Sequence, residues 1–141
     1  FIIGFPGESE ADFKESLNIS RKLALSGFHL FPYSPRPGTR AFKSQVHVPE
    51  RLVSYRIREF RLLADQLEAA YLERQVGSKR EVLLERQKLL DGRRYWAGLT
   101  ENYLTVSLDK AYQDKKLERG ELFSCKILEK EDSGLLATLR L

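Results

Sequence analysis

Cysteine is almost absent from this sequence, since Cys125 is the only one among its 141 residues. A single thiol excludes an internal disulfide, and it excludes any cysteine-ligated metal site or cluster built from this chain alone. No unbroken apolar run approaches the ~20 residues that a membrane span needs, and no charged segment precedes an apolar one as in a signal peptide. We therefore expect a cytoplasmic protein with no membrane partner.

Methionine is absent altogether, and the first residue is Phe1, which lies inside a strand-like apolar run. A chain that opens inside a strand is expected to be a fragment that lacks its N-terminal portion. The net charge of +4 arises after residue 39, because acidic and basic residues balance before it. Such a small surplus permits nucleic-acid binding without requiring it, since recognition needs basic groups clustered on one face.

The first 39 residues alternate strand and helix signals. Phe1-Ile2-Ile3 is predicted to end a strand buried on both faces, and Gly4 to Gly7 then turn the backbone. Ser9 is predicted to cap a helix that Gly27 ends, and residues 28–31 are predicted to form a second strand. This order predicts two parallel strands joined by a right-handed crossover.

A β-α-β unit of this size has too few elements to cover both faces of a parallel sheet. We therefore expect residues 1–48 to be the C-terminal part of a larger sheet or barrel whose earlier strands are missing.

A longer connecting helix is predicted over residues 49–77, from Pro49 to Gly77. Its apolar stripe alternates steps of four and three and consists of Val53, Ile57, Phe60, Ala64, Leu67 and Tyr71. The arginines of this segment are predicted to lie on a solvated face; they are Arg51, Arg56, Arg58, Arg61 and Arg74.

Residues 78–141 change to a period of two. Strand-like runs at Glu81–Leu84 and Gln87–Leu90 precede a hairpin signal at Asp91-Gly92. Further alternation surrounds Leu104–Leu108 and Phe123–Ile127, and Asp132-Ser133-Gly134 is predicted to turn the chain into a last strand over Leu135–Leu141. Four or five short strands predict a small antiparallel β-barrel of the OB type, a fold that commonly binds single-stranded nucleic acid.

The barrel segment contains a cluster of basic and aromatic residues that suits RNA. Two arginines can neutralise phosphates while the neighbouring Tyr and Trp rings stack on bases. Each aromatic residue alone is more often a packing residue. The cluster consists of Arg93, Arg94, Tyr95, Trp96, Asn102 and Tyr103. Lys115-Lys116 with Arg119 is predicted to be a solvated turn that could extend this surface.

Three residues that attract attention are not predicted to be functional. His29 lies in a strand and His47 in a loop, and neither has partner ligands nearby in the sequence, so we expect no metal site. Cys125 alternates with Phe123 and Ile127, which predicts buried packing for its thiol.

Two segments closely resemble the last strands of the radical S-adenosylmethionine (SAM) methylthiotransferases. They are Ile2-Ile3-Gly4-Phe5-Pro6-Gly7-Glu8 and Phe31-Pro32-Tyr33-Ser34-Pro35-Arg36-Pro37-Gly38-Thr39-Arg40-Ala41. Residues 78–141 resemble the RNA-binding TRAM domain of that family. The resemblance covers essentially the whole chain, with both motifs in the expected order before the barrel.

The resemblance implies an α/β plus all-β protein in which residues 1–48 end a partial (β/α) radical SAM barrel and residues 78–141 form a TRAM barrel. The family uses SAM and two [4Fe-4S] clusters, one of which is held by a CxxxCxxC loop that this chain lacks. We therefore expect the chain alone to be catalytically inactive, with no catalytic or metal-binding residue of its own.

The resemblance also implies binding roles for individual residues. A cofactor-binding turn is implied for Gly4, Phe5, Pro6, Gly7 and Glu8. The better explanation of Glu8 is that it begins the following helix. Substrate binding is predicted for Tyr33, Ser34, Arg36, Arg93, Arg94, Trp96 and Tyr103. The expected partner is the anticodon region of tRNA, the sulfur donor is unknown, and a monomer is expected.

The residues of two motifs favour the subgroup that acts on N6-threonylcarbamoyladenosine beside the anticodon. His29–Ser34 and Gly98–Tyr103 resemble that subgroup, although Leu99 stands where tyrosine is frequent. The isopentenyladenosine subgroup shares the YSPRPGT block and is the nearest alternative. Two other classes stay open: a non-catalytic RNA-binding module, and an α/β domain whose Gly4 to Gly7 turn cradles a phosphate.

Overall fold

The computed structural model describes residues 1–44, 46–90, 93–108, 117–131 and 134–138, apart from the side chains of Leu90 and Arg93. The chain forms two compact units, Phe1–Tyr71 and Leu72–Leu141. No helix in the described part of the chain is both long and apolar enough to cross a membrane.

Several predicted features lie outside the described residues. They are the turn residues Asp91-Gly92 and Asp132-Ser133, the pair Lys115-Lys116, and the end of the last strand at residues 139–141.

The first unit contains the predicted β-α-β order. Its elements are β1 (Ile2–Ile3), α1 (Glu10–Lys22), β2 (Phe31–Pro32), a short 3-10 helix (Ala41–Lys43) and α2 (Glu50–Glu73). Strands β1 and β2 pair in parallel, with Ile2 opposite Phe31 and Ile3 opposite Pro32. The predicted parallel pairing is therefore confirmed, although β2 begins at Phe31, the last residue of the predicted strand.

Helix α1 begins as its sequence predicts and ends earlier. The Ser9 hydroxyl accepts from the Asp12 N–H, and the Asp12 carboxylate accepts from the Ser9 N–H, which completes a capping box. The helix ends at Lys22, so the prediction that Gly27 ends it is wrong. The Ala24 N–H donates to the Arg21 carbonyl oxygen and Ala24 adopts a φ of 46°, which redirects the chain before Gly27 is reached.

Burial of β1 is one-sided. Ile3 is only 1% exposed and packs with Phe13 of α1 and Phe60 of α2, whereas Ile2 is 60% exposed and its neighbour Phe31 is 59% exposed. The prediction that this strand is buried on both faces is therefore wrong for the described chain. The physical reason is that the described helices of this unit contribute their core residues to the Ile3 side alone.

The second unit is a closed five-stranded barrel with the order β3-β4-β5-β7-β6. Its strands are β3 (Lys79–Leu90), β4 (Arg93–Thr100), β5 (Thr105–Leu108), β6 (Leu122–Glu131) and β7 (Gly134–Thr138). The two predicted runs before residue 91 form the single strand β3, with an irregularity in its pairing between Leu84 and Arg86.

The barrel departs from the sequence prediction in one pairing. Strands β5 and β7 run in parallel, whereas the other neighbouring pairs are antiparallel. The sheet closes with β7 between β5 and β6. Because β4 is antiparallel to β3 and β5, and β6 is antiparallel to β3 and β7, the strands β5 and β7 run in the same direction. The predicted alternation holds in the core, which includes Val82, Leu84, Val106, Leu108, Cys125, Ile127, Leu135 and Ala137.

Candidate functional site

An apolar pocket of about 570 Å³ lies on the first unit where the two sequence motifs meet. Its lining residues are Ile2, Phe5, Phe31, Pro32, Tyr33, Ser34, Arg36, Thr39 and Ala41. A wider depression of about 740 Å³ follows one face of α1, but it contains neither motif. The pocket between the motifs is therefore the candidate ligand site of this unit.

Phe5 lines one side of the pocket and is the first residue of the turn Phe5-Pro6-Gly7-Glu8, whose other residues do not line it. The Glu8 N–H donates to the Phe5 carbonyl oxygen at 2.9 Å, and Gly7 has a φ of 87°. Proline before a left-handed glycine is the signature of a type II turn. The turn leaves the Phe5 ring half exposed and in edge contact with Tyr33, with a centroid distance of 5.4 Å.

The opposite wall is the loop that follows β2. The Tyr33 N–H donates to the Ile3 carbonyl oxygen at 2.8 Å, which continues the parallel pairing and fixes the loop against the turn. The Tyr33 hydroxyl is buried and has no hydrogen-bond partner among the described residues. Ser34 and Arg36 are exposed at the rim. The structure therefore brings Phe5, Tyr33, Ser34 and Arg36 together at one pocket.

Arg56 contradicts the sequence prediction, because this side chain of α2 is buried at 1% exposure, not solvated. Its guanidinium ion-pairs with the Glu8 carboxylate at 3.2 Å and donates to the Glu8 carbonyl oxygen at 3.1 Å. The sequence spacing indicates this burial, since Arg56 lies three residues after Val53 and four before Phe60, and both are predicted on the apolar stripe.

Three backbone N–H groups at this turn, of the kind that an anion cradle uses, are already engaged within the protein. The Gly4 N–H donates to the Glu8 carboxylate, the Glu8 N–H to the Phe5 carbonyl oxygen, and the Ser9 N–H to the Asp12 carboxylate. Hydrogen bonds from the Ser9 hydroxyl and N–H also hold the pKa of Asp12 below its usual range. Two carboxylates and one carbonyl oxygen therefore occupy these three donors, which leaves none of the three for a ligand anion.

In the barrel, the predicted motif Gly98–Tyr103 ends β4 and forms the turn into β5. The Thr100 N–H donates to the Leu104 carbonyl oxygen, and the Leu104 N–H donates to Thr100 Oγ1, each at 3.0 Å. Tyr103 follows with a φ of 63° and is 84% exposed. A rigid turn thus presents an open aromatic ring to solvent.

Glu101 ties this turn to the neighbouring strand β3. Its carboxylate accepts from Arg80 Nη1 and from the Glu81 N–H, both at 3.1 Å. Partial burial raises the pKa of the Glu101 carboxyl. Hydrogen bonds from its own backbone N–H, from Arg80 and from the Glu81 N–H, together with the Arg80 charge, lower it by more, so the pKa lies below its usual value. The carboxylate form therefore holds the turn that carries Tyr103.

The structure does not bring the predicted RNA residues into one cluster. Arg94 precedes Thr100 by six residues along β4, or about 20 Å, so Arg94 and Tyr103 lie near opposite ends of the strand. Trp96 is partly buried and packs against the barrel core, whereas Arg94 is exposed. Of Arg93, the structure describes only the backbone, which pairs with Leu90.

No protein-family model matches the chain. Curated relatives do match it. The chain is 36% identical to the threonylcarbamoyladenosine tRNA methylthiotransferase MtaB of Treponema pallidum over 76% of its own length and 21% of the relative's. Its identity with the MtaB of Aquifex aeolicus is 34%, over 84% of the chain and 27% of that relative.

A third relative matches along nearly the whole chain. The tRNA-2-methylthio-N(6)-dimethylallyladenosine synthase of Erythrobacter litoralis is 31% identical over 99% of the chain and 30% of its own length. The chain belongs to the methylthiotransferase family. It spans between 21% and 30% of the length of these methylthiotransferases.

The cysteine of this methylthiotransferase chain lies inside the barrel. Cys125 is fully buried, and burial, followed by the negative charge of Glu101, raises the pKa of its thiol to about 11. A thiol with such a pKa is neither a ready nucleophile nor a ready metal ligand. No group of three or more His, Cys, Asp or Glu residues is arranged to hold a metal ion within the described ranges.

Proposed function

We propose that this chain is part of a tRNA methylthiotransferase that adds a methylthio group to C2 of N6-threonylcarbamoyladenosine beside the anticodon. Relatives named for threonylcarbamoyladenosine support this substrate. The proposal depends above all on one observation, that Phe5 of the first motif and Tyr33, Ser34 and Arg36 of the second line the same pocket. The pocket forms part of the rim that binds cofactor and substrate, and the barrel binds the tRNA.

The residues of the pocket fit the adenosyl end of SAM. An adenine ring packs well on apolar and aromatic walls, which Ile2, Phe5 and Phe31 supply. The buried Tyr33 hydroxyl, which lacks a partner among the described residues, can hydrogen-bond a ligand that reaches it. When bound, SAM supplies the radical chemistry of the family. The residues of this chain hold and orient its adenosine.

The [4Fe-4S] clusters of the family do not fit the residues of this chain. Such clusters are held by cysteine thiolates, and the single cysteine here is fully buried in the barrel core. We therefore assign cluster binding to another part of the complete enzyme.

The first test uses the complete enzyme and a matched pair of phenylalanine variants. We expect Phe5→Ala to raise the Kd for SAM by about 10-fold, because removing an aromatic wall forfeits roughly 1–2 kcal/mol of packing. Phe42→Ala is the control, since Phe42 is 47% exposed and does not line the pocket. Isothermal titration calorimetry measures both.

The same preparations identify the substrate by mass spectrometry of digested tRNA. A methylthio group on threonylcarbamoyladenosine supports the proposal. A methylthio group on the isopentenyl nucleoside alone would select the alternative that the Erythrobacter relative represents. Equal SAM affinity in the Phe5 and Phe42 variants would contradict the assignment of the pocket.

A second prediction concerns Tyr103, whose ring is exposed at the β4–β5 turn. If a base of the tRNA stacks on it, Tyr103→Ala weakens tRNA binding by about 10-fold or more, since such stacking contributes ~1–3 kcal/mol. Tyr55→Ala is the matched control, because Tyr55 is an exposed tyrosine of α2 in the other unit. Gel-shift titrations of the chain with tRNA at fixed salt measure the difference. Equal affinities of the two variants would remove Tyr103 from the interface.

A further inference from the structure

The buried arginine of α2 joins two parts of the turn that carries the pocket residue Phe5. Oε2 of Glu8 accepts a hydrogen bond from the Gly4 N–H and lies 3.2 Å from Nη1 of Arg56. The same Nη1 donates to the Glu8 carbonyl oxygen at 3.1 Å. Arg56 therefore holds both the side chain and the backbone of Glu8, and through the carboxylate it holds Gly4.

Arg56 is itself fixed by its surroundings. Nη2 reaches the Glu10 carboxylate at 3.4 Å, and the guanidinium lies 5.2 Å from the centre of the Phe13 ring. The side chains of Arg56 and Glu8 are 2% and 11% exposed. A pair so well shielded from solvent is weakened little by salt.

A second contact from α2 reaches the same turn independently. Gly4 has a φ of 80°, and a Cβ built on it would lie 2.5 Å from Cγ2 of Val53. Val53 precedes Arg56 by three residues, so both side chains project from one face of α2. One holds Gly4 by close packing and the other through the Glu8 carboxylate.

We infer that Arg56 is a positioning residue for the ligand-binding turn, acting through Glu8 to preset the Gly4–Glu8 backbone and the Phe5 ring before ligand arrives. This inference rests on the proposed function for the identity of the ligand, SAM. Glu8 then serves as an internal brace, since its Oε2 oxygen is already engaged. A preset turn binds ligand without the entropy cost of ordering a loop.

The first arm of the test measures the turn without ligand. In Arg56→Met, exchange of the Gly4 amide hydrogen in the 141-residue chain is expected to accelerate by about 10-fold, because its acceptor loses its brace. Arg56→Lys keeps the charge but lacks the two-pronged geometry, so it recovers part of the protection. Arg58→Met is the matched control, since Arg58 is an exposed arginine of the same helix.

The double variant Glu8→Gln/Arg56→Met tests whether the two residues act as a unit. If they do, the Gly4 amide of the double variant exchanges no faster than that of Arg56→Met. Additive acceleration would show two independent effects and would overturn the inference. Unchanged Gly4 exchange in both Arg56 variants would also overturn it, even if the chain became less stable.

The second arm measures SAM in the complete enzyme. We expect Arg56→Met to raise the KM for SAM by about 10-fold while leaving the KM for tRNA within about twofold, a split that a general loss of stability does not produce. If the unchanged enzyme does not bind SAM, the proposed function fails, and the Gly4 exchange arm still decides the role of Arg56. Should Arg56→Met fail to fold, Arg56→Lys decides by the same two readouts.

Discussion

Replacing Gly98 by alanine is expected to destabilise the barrel by about 3 kcal/mol or more. A Cβ at this position would lie 2.1 Å from the carbonyl oxygen of Leu83 and 3.0 Å from Cγ2 of Val82. The clash is with backbone of β3, where Leu84 pairs with Gly98, so a rotamer change cannot relieve it. Strand β4 must move away, which disturbs the pairing that closes the barrel.

Urea unfolding followed by tryptophan fluorescence measures this effect. Trp96 is the single tryptophan and packs against the barrel core, so its emission reports on this unit. Ser124→Ala is the control, because Ser124 is exposed on β6 of the same barrel and the free energy of unfolding should change by less than about 0.5 kcal/mol. A Gly98→Ala chain with the original midpoint would show that β3 and β4 are less closely packed than described.

The second large effect is expected from Phe60→Ala, which should destabilise the first unit by about 4 kcal/mol. Phe60 is fully buried at the centre of an aromatic cluster in which its ring lies 5.0 Å from Phe1 and 5.7 Å from both Phe13 and Phe28. Truncation leaves a cavity that rigid neighbouring rings fill poorly, and it removes the contacts that join α1, β1 and α2.

Far-ultraviolet circular dichroism measures this loss, since α1 and α2 both belong largely to the first unit. Leu62→Ala is the matched control, because Leu62 lies on the same helix and is 54% exposed. Its replacement should change the free energy of unfolding by less than about 0.5 kcal/mol. Similar losses of helix stability in the two variants would contradict the placement of Phe60 at the centre of the core.

Much of the local structure could be predicted because its causes lie within a few residues. The Ser9 cap depends on donors and acceptors three residues apart, and the inward placement of Cys125 and Ile127 follows from the period of a strand. The meeting of the Gly4–Glu8 turn with the loop after β2 was also foreseeable, since parallel strands bring their carboxyl ends to the same edge.

Other features depend on partners far away in the sequence. The usual exposure of helix arginines predicts that Arg56 is solvated, yet Arg56 is buried on its partner Glu8, which lies 48 residues earlier. Proximity in the sequence predicts one RNA-binding cluster, whereas an extended strand separates Arg94 from the turn that carries Tyr103. Likewise, the parallel β5–β7 pairing depends on how the whole sheet closes into a barrel, which no local sequence pattern specifies.

Residue types and their periodicity are enough to predict the family, the β-α-β order and the barrel. Long-range contacts in the folded chain are needed to show which motif residues share a pocket, that Glu8 braces the turn and that Tyr103 is exposed while Trp96 packs on the core. The physical reason is that burial and pairing are set by side chains distant along the chain, whereas caps, turns and alternation are set by neighbours.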